Sequence, residues 1–183
     1  KDTRAGGLPN PVGLFVHAGT VVNADMVRMD GVLTVDPADG EPRLFHRTRA
    51  RIGDDVYDLT ALAERRAFLA VAAGRGISVL QSHLVIVDGA VDVRPQEGAP
   101  AFVRRLLFTD AAGFGLFQTA APETLHDAAV TLSERHGARM ALNLDMGSYD
   151  YCLEASGGSE RNCGVLARDG LLEPFRPTWA EAV

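Results

Sequence analysis

Apolar positions in the first fifty residues come in short alternating runs. In "PVGLFVHAGTVVNAD" they flank Ala18-Gly19, and in "GVLTVDPADGEPRLFHR" they flank residues 37–40. Strand side chains alternate between two faces, so each stretch predicts a hairpin of two short strands. From Asp58 the period lengthens. Leu59, Leu62, Ala63, Ala67, Ala70 and Val71 recur at helical spacing through "DLTALAERRAFLAVAAG", with Gly74 and Gly76 as the stop, which predicts an amphipathic helix whose buried stripe is that set.

Alternation then resumes. "ISVLQSHLVIVDGAVDVRP" predicts a strand and a hairpin turning at Asp88-Gly89, a pair suited to the two positive-φ positions of a type I′ turn. "GAPAFVRRLLFTDAAGFGLFQT" predicts two strands broken at residues 110–113. A second helix follows, capped by Thr124 with Asp127 three residues on, lined by Leu125, Ala128, Ala129 and Leu132, and ended by Gly137. "ARMALNLD" is a nearly continuous apolar run, as in a central strand covered on both faces, and "GVLAR" suggests one last strand. Hairpins dominate and only two helices stand out. The expected class is therefore α+β: one domain over residues 1–183, with a mostly antiparallel or mixed, hairpin-rich sheet and two main helices.

Composition narrows the function. Hydrophobic residues make up 46% of the 183 positions and charged ones 23%, which is globular, and the net charge of −6 lacks the basic field that nucleic acid requires. No apolar run reaches the roughly 20 residues of a membrane-spanning helix. The chain opens "KDTRAGGLPNP", with neither an initiating Met nor a signal sequence, so it is expected to begin inside a longer reading frame. Cys152 and Cys163 enclose a polar, glycine-containing stretch, "LEASGGSERN", read as a loop. The pair is either a disulfide or two free thiols. The bridge is the expectation carried forward, and it implies an oxidising compartment.

The chain has no phosphate-binding G-x-x-x-x-G-K-[ST], no H-E-x-x-H, no G-x-S-x-G and no C-x-x-C, and its five histidines are scattered. Two places carry candidate chemistry instead. Arg104 and Arg105 are adjacent in "FVRRLLF", so on a strand one of them points to the apolar side and needs an anion, from a protein carboxylate or from a ligand. Asp145 ends the "ALNLD" strand ahead of Gly147 and Ser148, with Asn143 on the same side of the strand. It is either the cap of a turn or a carboxylate delivered into a site by a rigid element.

Four stretches, "NPVGLFVHAGTVVNAD", "ISVLQSHLVIVDGAVD", "FVRRLLFTDAAGFGLFQ" and "TLHDAAVTLSERHGARMALNLDMGS", together resemble in order and spacing the phosphodiester glycosidase family, over about residues 10 to 150. That family includes the lysosomal enzyme that uncovers mannose 6-phosphate by removing N-acetylglucosamine. Pro11, Gly13, Leu14 and Gly19 match its P-x-G-L-x-x-x-x-G hairpin. Gln81, Ser82 and Gly89 match a Q-S-G-P-x-L-x-x-x-G segment, Arg105 or Arg104 its strand arginine, and Leu144 and Asp145 the start of an L-D-G-G-G-S-S-like loop. His83 stands where the family has glycine, and "DMGSYD" replaces the glycine-rich loop. The family's N-G-G-F-F-like stretch would fall before Lys1, so the domain is expected to lack an N-terminal part here.

The resemblance implies hydrolysis at the anomeric carbon of a glycosyl phosphodiester, with a cell-envelope glycan as an alternative partner, in a secreted or periplasmic setting. It implies Asp145 and Arg105 as catalytic residues, and Arg104, Gln81, Ser82, Asn143, Gly147 and Ser148 as substrate-binding ones. No cofactor is implied, although a hard divalent cation between Asp145 and phosphate oxygens is compatible with the set. The alternatives are a degenerate member that binds a glycan or phosphopolymer without turnover, and a purely structural domain in which Arg105 pairs with Asp145.

Overall fold

The computed structural model describes residues 11–144 together with the strands Leu153–Ser156 and Ser159–Asn162. Ala18 and Gly19 both hold positive φ, 45° and 79°, and fold β1 (Phe15–His17) onto β2 (Thr20–Asn23). β3 (Gly31–Val35) and β4 (Pro42–His46) form the second hairpin, and β5 (Ala50–Ile52) and β6 (Asp55–Tyr57) a small third one. Helix α1 (Leu62–Arg75) ends where Gly76 turns left-handed at φ 71°. β7 (Ser78–Ser82) and β8 (Leu84–Val87) are separated only by His83, and β8 turns through Asp88 and Gly89, φ 50° and 87°, into β9 (Ala90–Val91). β10 (Arg105–Thr109) and β11 (Phe114–Gln118) pair in full register. Helix α2 (Leu125–His136) starts with the Thr124 hydroxyl accepting from Asp127 N and stops at left-handed Gly137. β12 (Met140–Leu144) follows, and β13 (Leu153–Ser156) pairs with β14 (Ser159–Asn162).

The chain divides into two compact units, Lys1–Leu144 and Asp145–Val183. The first is α+β as expected, but its hairpins build two five-stranded antiparallel sheets, ordered β2-β1-β7-β3-β4 and β11-β10-β12-β8-β9, rather than one. The chain crosses from the centre of one to the other through His83 alone. β12 lies at the middle of the second sheet, as its unbroken apolar run predicts. Residues directly opposite in a ladder share a face. One face of the first sheet carries Val16, Val32 and Val79 into a core with Phe68, Leu69 and Ala72 of α1. Leu106, Phe108 and Ala141 of the second sheet pack on Ala128, Ala129 and Leu132 of α2. The remaining faces meet through Leu44, Leu84 and Leu142. Gly31 permits that approach, because a Cβ there would run into Leu142 Cδ1 and lie 2.9 Å from Leu84 Cγ.

Two sequence expectations need correction. Helix α1 exists where its period predicts, and Leu59 and Val71 of that apolar set do join the core, but the buried residues of the helix are Phe68, Leu69 and Ala72, while Leu62 is 51% exposed and Ala63, Ala67 and Ala70 face solvent. A helix this rich in alanine has several stripes of helical spacing, and the bulkiest side chain, Phe68, decides which one is buried. The stretch between the cysteines is also not a loop. Its backbone pairs as a hairpin, with Leu153 opposite Asn162 and Ser156 opposite Ser159.

Candidate functional site

Gln81, Ser82, Asn143 and Arg105 of the matched set lie around the C-terminal ends of β7 and β12, whereas Gly19 and Gly89 sit at the other ends, bonded to Ile77 O and Arg139 O. Gln81 is buried, at 2% exposure. Its Oε1 accepts from Leu14 N at 3.0 Å and Val27 N at 3.3 Å, and its Nε2 donates to Val27 O at 3.1 Å and Met29 O at 2.6 Å. Every hydrogen-bonding position of that amide is therefore spent on backbone, tying the chain that enters β1 to the loop that enters β3. Gly13 explains its own place in the pattern. It holds φ 84°, and a Cβ there would lie 2.6 Å from Gln81 Oε1.

Ser82, buried, donates from Oγ to Asn143 O at 2.5 Å, and Asn143 N donates to His83 O at 2.8 Å. These two bonds fasten the end of β12 to the sheet crossing. Asn143 is itself buried and lies opposite Leu106, on the α2 side of its sheet. His83 at the crossing is exposed.

Arg105 opens β10, between Leu144 on one neighbouring strand and Gln118 on the other. It is 3% exposed, and its Nε donates to Gln118 Oε1 at 2.6 Å. The alternation argument for adjacent arginines thus identifies Arg105 as the one turned inward. By register it shares a face with Leu107 and Leu142, opposite to the face of Leu106 and Asn143. Arg104 behaves differently. Its Nε donates to Glu123 O and its Nη2 to Pro100 O, at 3.1 and 2.8 Å, with the guanidinium carbon 5.0 Å from the centre of the Phe102 ring. It clamps the approach to β10.

Asp145, Gly147 and Ser148 lie outside the described residues, as do Cys152 and Cys163. Asp110 is a turn residue whose Oδ1 accepts from Ala112 N and Gly113 N. Among the described residues, no three His, Cys, Asp or Glu side chains are grouped to hold a metal. No described helix is long and apolar enough to cross a membrane.

Sequence reasoning missed Gln118 as the partner of Arg105, although the signal is there. Counting outward from the turn at residues 110–113, Thr109 meets Phe114 and Arg105 meets Gln118. It also missed the backbone role of Gln81, since nothing local shows that a glutamine on a strand will meet residues over fifty positions away. Compared with known proteins, the chain matches no family model and no curated protein.

Proposed function

We propose that the protein hydrolyses a glycosyl phosphodiester, with an N-acetylglucosamine-1-phosphodiester as the substrate type. The observation that supports this reading is that several residues of the resemblance, distant in sequence, meet in space. Gly13 packs on Gln81, Ser82 holds Asn143, and Arg105 lies across from Leu144, the residue before Asp145 in sequence. In this reading Arg105, oriented through Nε by Gln118, holds the phosphate. Guanidinium suits that task because its planar fork of donors matches two phosphate oxygens. Asp145 supplies the carboxylate that attacks the anomeric carbon, activates water, or balances the oxocarbenium-like charge as the bond to phosphate oxygen breaks. A phosphate leaves readily, so the departing oxygen needs little help from a second acid. The sugar-binding roles that the resemblance implies fall to Ser82, Asn143, Arg104, Gly147 and Ser148, and Gln81 contributes by fixing the chain that enters β1 and the loop that enters β3.

The second reading is binding of a glycan or phosphopolymer without turnover. It is favoured by the commitment of the Gln81 amide and Arg105 Nε to partners inside the protein. It is also favoured by Met146 and Tyr149, which stand where the related loop has small residues. Incubation with methyl N-acetylglucosamine-1-phosphate separates the two. Release of the free sugar supports the enzyme, saturable binding with no release supports the binding domain, and neither result leaves both readings without support.

A further inference from the structure

The chain carries a net charge of −6, yet one surface cleft is lined without any acid. It has a volume of about 410 Å³, is open to solvent, and is bounded by Met26, Val27, Arg28, Arg47, Thr60 and Arg65. Its three arginines come from three parts of the chain: the loop before β3, the turn after β4 and the first turns of α1. None has a carboxylate within ion-pair distance among the described residues.

Arg47 and Arg65 have backbone carbonyls as partners. Arg47 Nη1 reaches Val27 O and Met29 O only at 3.4 Å, and Arg65 Nη1 reaches Leu59 O at 3.3 Å. Arg47 Nε is buried with no hydrogen-bond partner. Elsewhere in this chain exposed arginines do find acids, as in Arg43 with Asp39, Arg49 with Asp88 and Arg75 with Asp36. Two acids stand beside the cleft without lining it: Asp58, whose carboxylate feels the charge of Arg47 while its Oδ1 accepts from Thr60 N and Thr60 Oγ1, and Glu64, whose Oε2 accepts from Asp58 N.

A half-buried guanidinium with an unmet donor and no carboxylate at ion-pair distance is stabilised when an anion completes it. From this geometry we infer that the Arg28, Arg47 and Arg65 cleft is a binding site for a phosphate dianion, free or as the terminal group of a phosphomonoester. Three cations favour a dianion over a single carboxylate, and forked donors favour a tetrahedral oxyanion. The inference stands apart from the proposed hydrolysis, because none of these residues belongs to the set around Asn143 and Arg105.

The test is a titration of the full chain with inorganic phosphate at low, constant ionic strength, followed through the arginine Nε–Hε resonances. Saturable shifts of Arg28, Arg47 and Arg65 are expected, with a Kd of about 1 mM or tighter. Arg28→Gln with Arg65→Gln should weaken binding about tenfold or more, while thermal unfolding and the rest of the spectrum stay unchanged. Methyl phosphate should bind about as well, and acetate clearly more weakly. Absence of saturation, an unaltered Kd in the double variant, or acetate binding as tightly as phosphate would overturn the assignment. Arg47 is left intact because it also supports the loop at Val27 and Met29.

Discussion

Gln81 is a polar residue that earns burial by closing four hydrogen bonds to backbone at once. Replacing it with leucine strands two donors and two acceptors around the entry to β1 and the loop before β3. The expected loss is about 2–4 kcal/mol in urea unfolding. Gly13→Ala should cost about 1–2 kcal/mol, from its positive φ and the contact with Oε1. The two effects should be less than additive, because each disturbs the same bond network. The sequence displays both residues, but their dependence on each other spans 68 positions and becomes visible only in the fold. A second residue-scale effect is electrostatic. The hydrogen bond from Arg43, reinforced by the Glu41 backbone N–H, holds the Asp39 carboxyl down to about 2. An unfolded aspartate titrates near 3.9. The folded value is lower, so its stabilisation is present above about pH 4 and is lost as pH falls through about 2. Carbon-detected titration should place the Asp39 midpoint near that value, and Asp39→Asn should remove this part of the acid dependence. Asp39 is solvent-exposed, so the effect on overall stability will be small.

At the scale of elements, hairpins were the most legible feature. Ala18-Gly19 and Asp88-Gly89 announce turns whose positive φ is observed at both residues of each pair. Helix α2 was legible in its cap, its stop and its buried face, because Ala128, Ala129 and Leu132 form a stripe with one large residue to anchor it. Helix α1 was legible in extent but not in orientation. Its alanines fit every stripe, and the choice rests on Phe68, which packs edge-on against Tyr57 at 5.5 Å between ring centres. Phe68→Ala should therefore cost about 3–5 kcal/mol, and Leu62→Ala less than about 0.5 kcal/mol. Comparable losses at both positions would mean that the helix packs on the other stripe. The hairpin β13–β14 was missed, since "LEASGGSERN" has no β-branched residue and only Leu153 and Ala155 as apolar positions, although Gly157-Gly158 between its two halves is a hairpin signal. Cys152 and Cys163 immediately flank its Leu153 and Asn162 pair in sequence. We expect a cross-strand bridge there, so thiol titration of the unfolded, unreduced chain should detect none, and two reactive thiols would contradict it.

For the molecule as a whole, the α+β class followed from counting hairpins and helices, but the split into two sheets did not. That split depends on His83 as a one-residue crossing and on Gly31 as the contact point between sheets, and neither carries a local pattern. The candidate site was legible as a set of residue types, and the fold brings Gln81, Ser82, Asn143 and Arg105 to neighbouring strand ends. The register adds that Arg105 and Asn143 occupy opposite faces of their sheet. A substrate held by both would therefore have to span the two faces of that sheet. The catalytic claim rests on the Asp145 carboxylate. The most direct measurement is the rate of sugar release from methyl N-acetylglucosamine-1-phosphate by wild type and by Asp145→Asn, with the fold of each checked by thermal unfolding. The account predicts turnover by the wild type and a loss of about 100-fold or more in the folded variant; equal rates in the two proteins would contradict it.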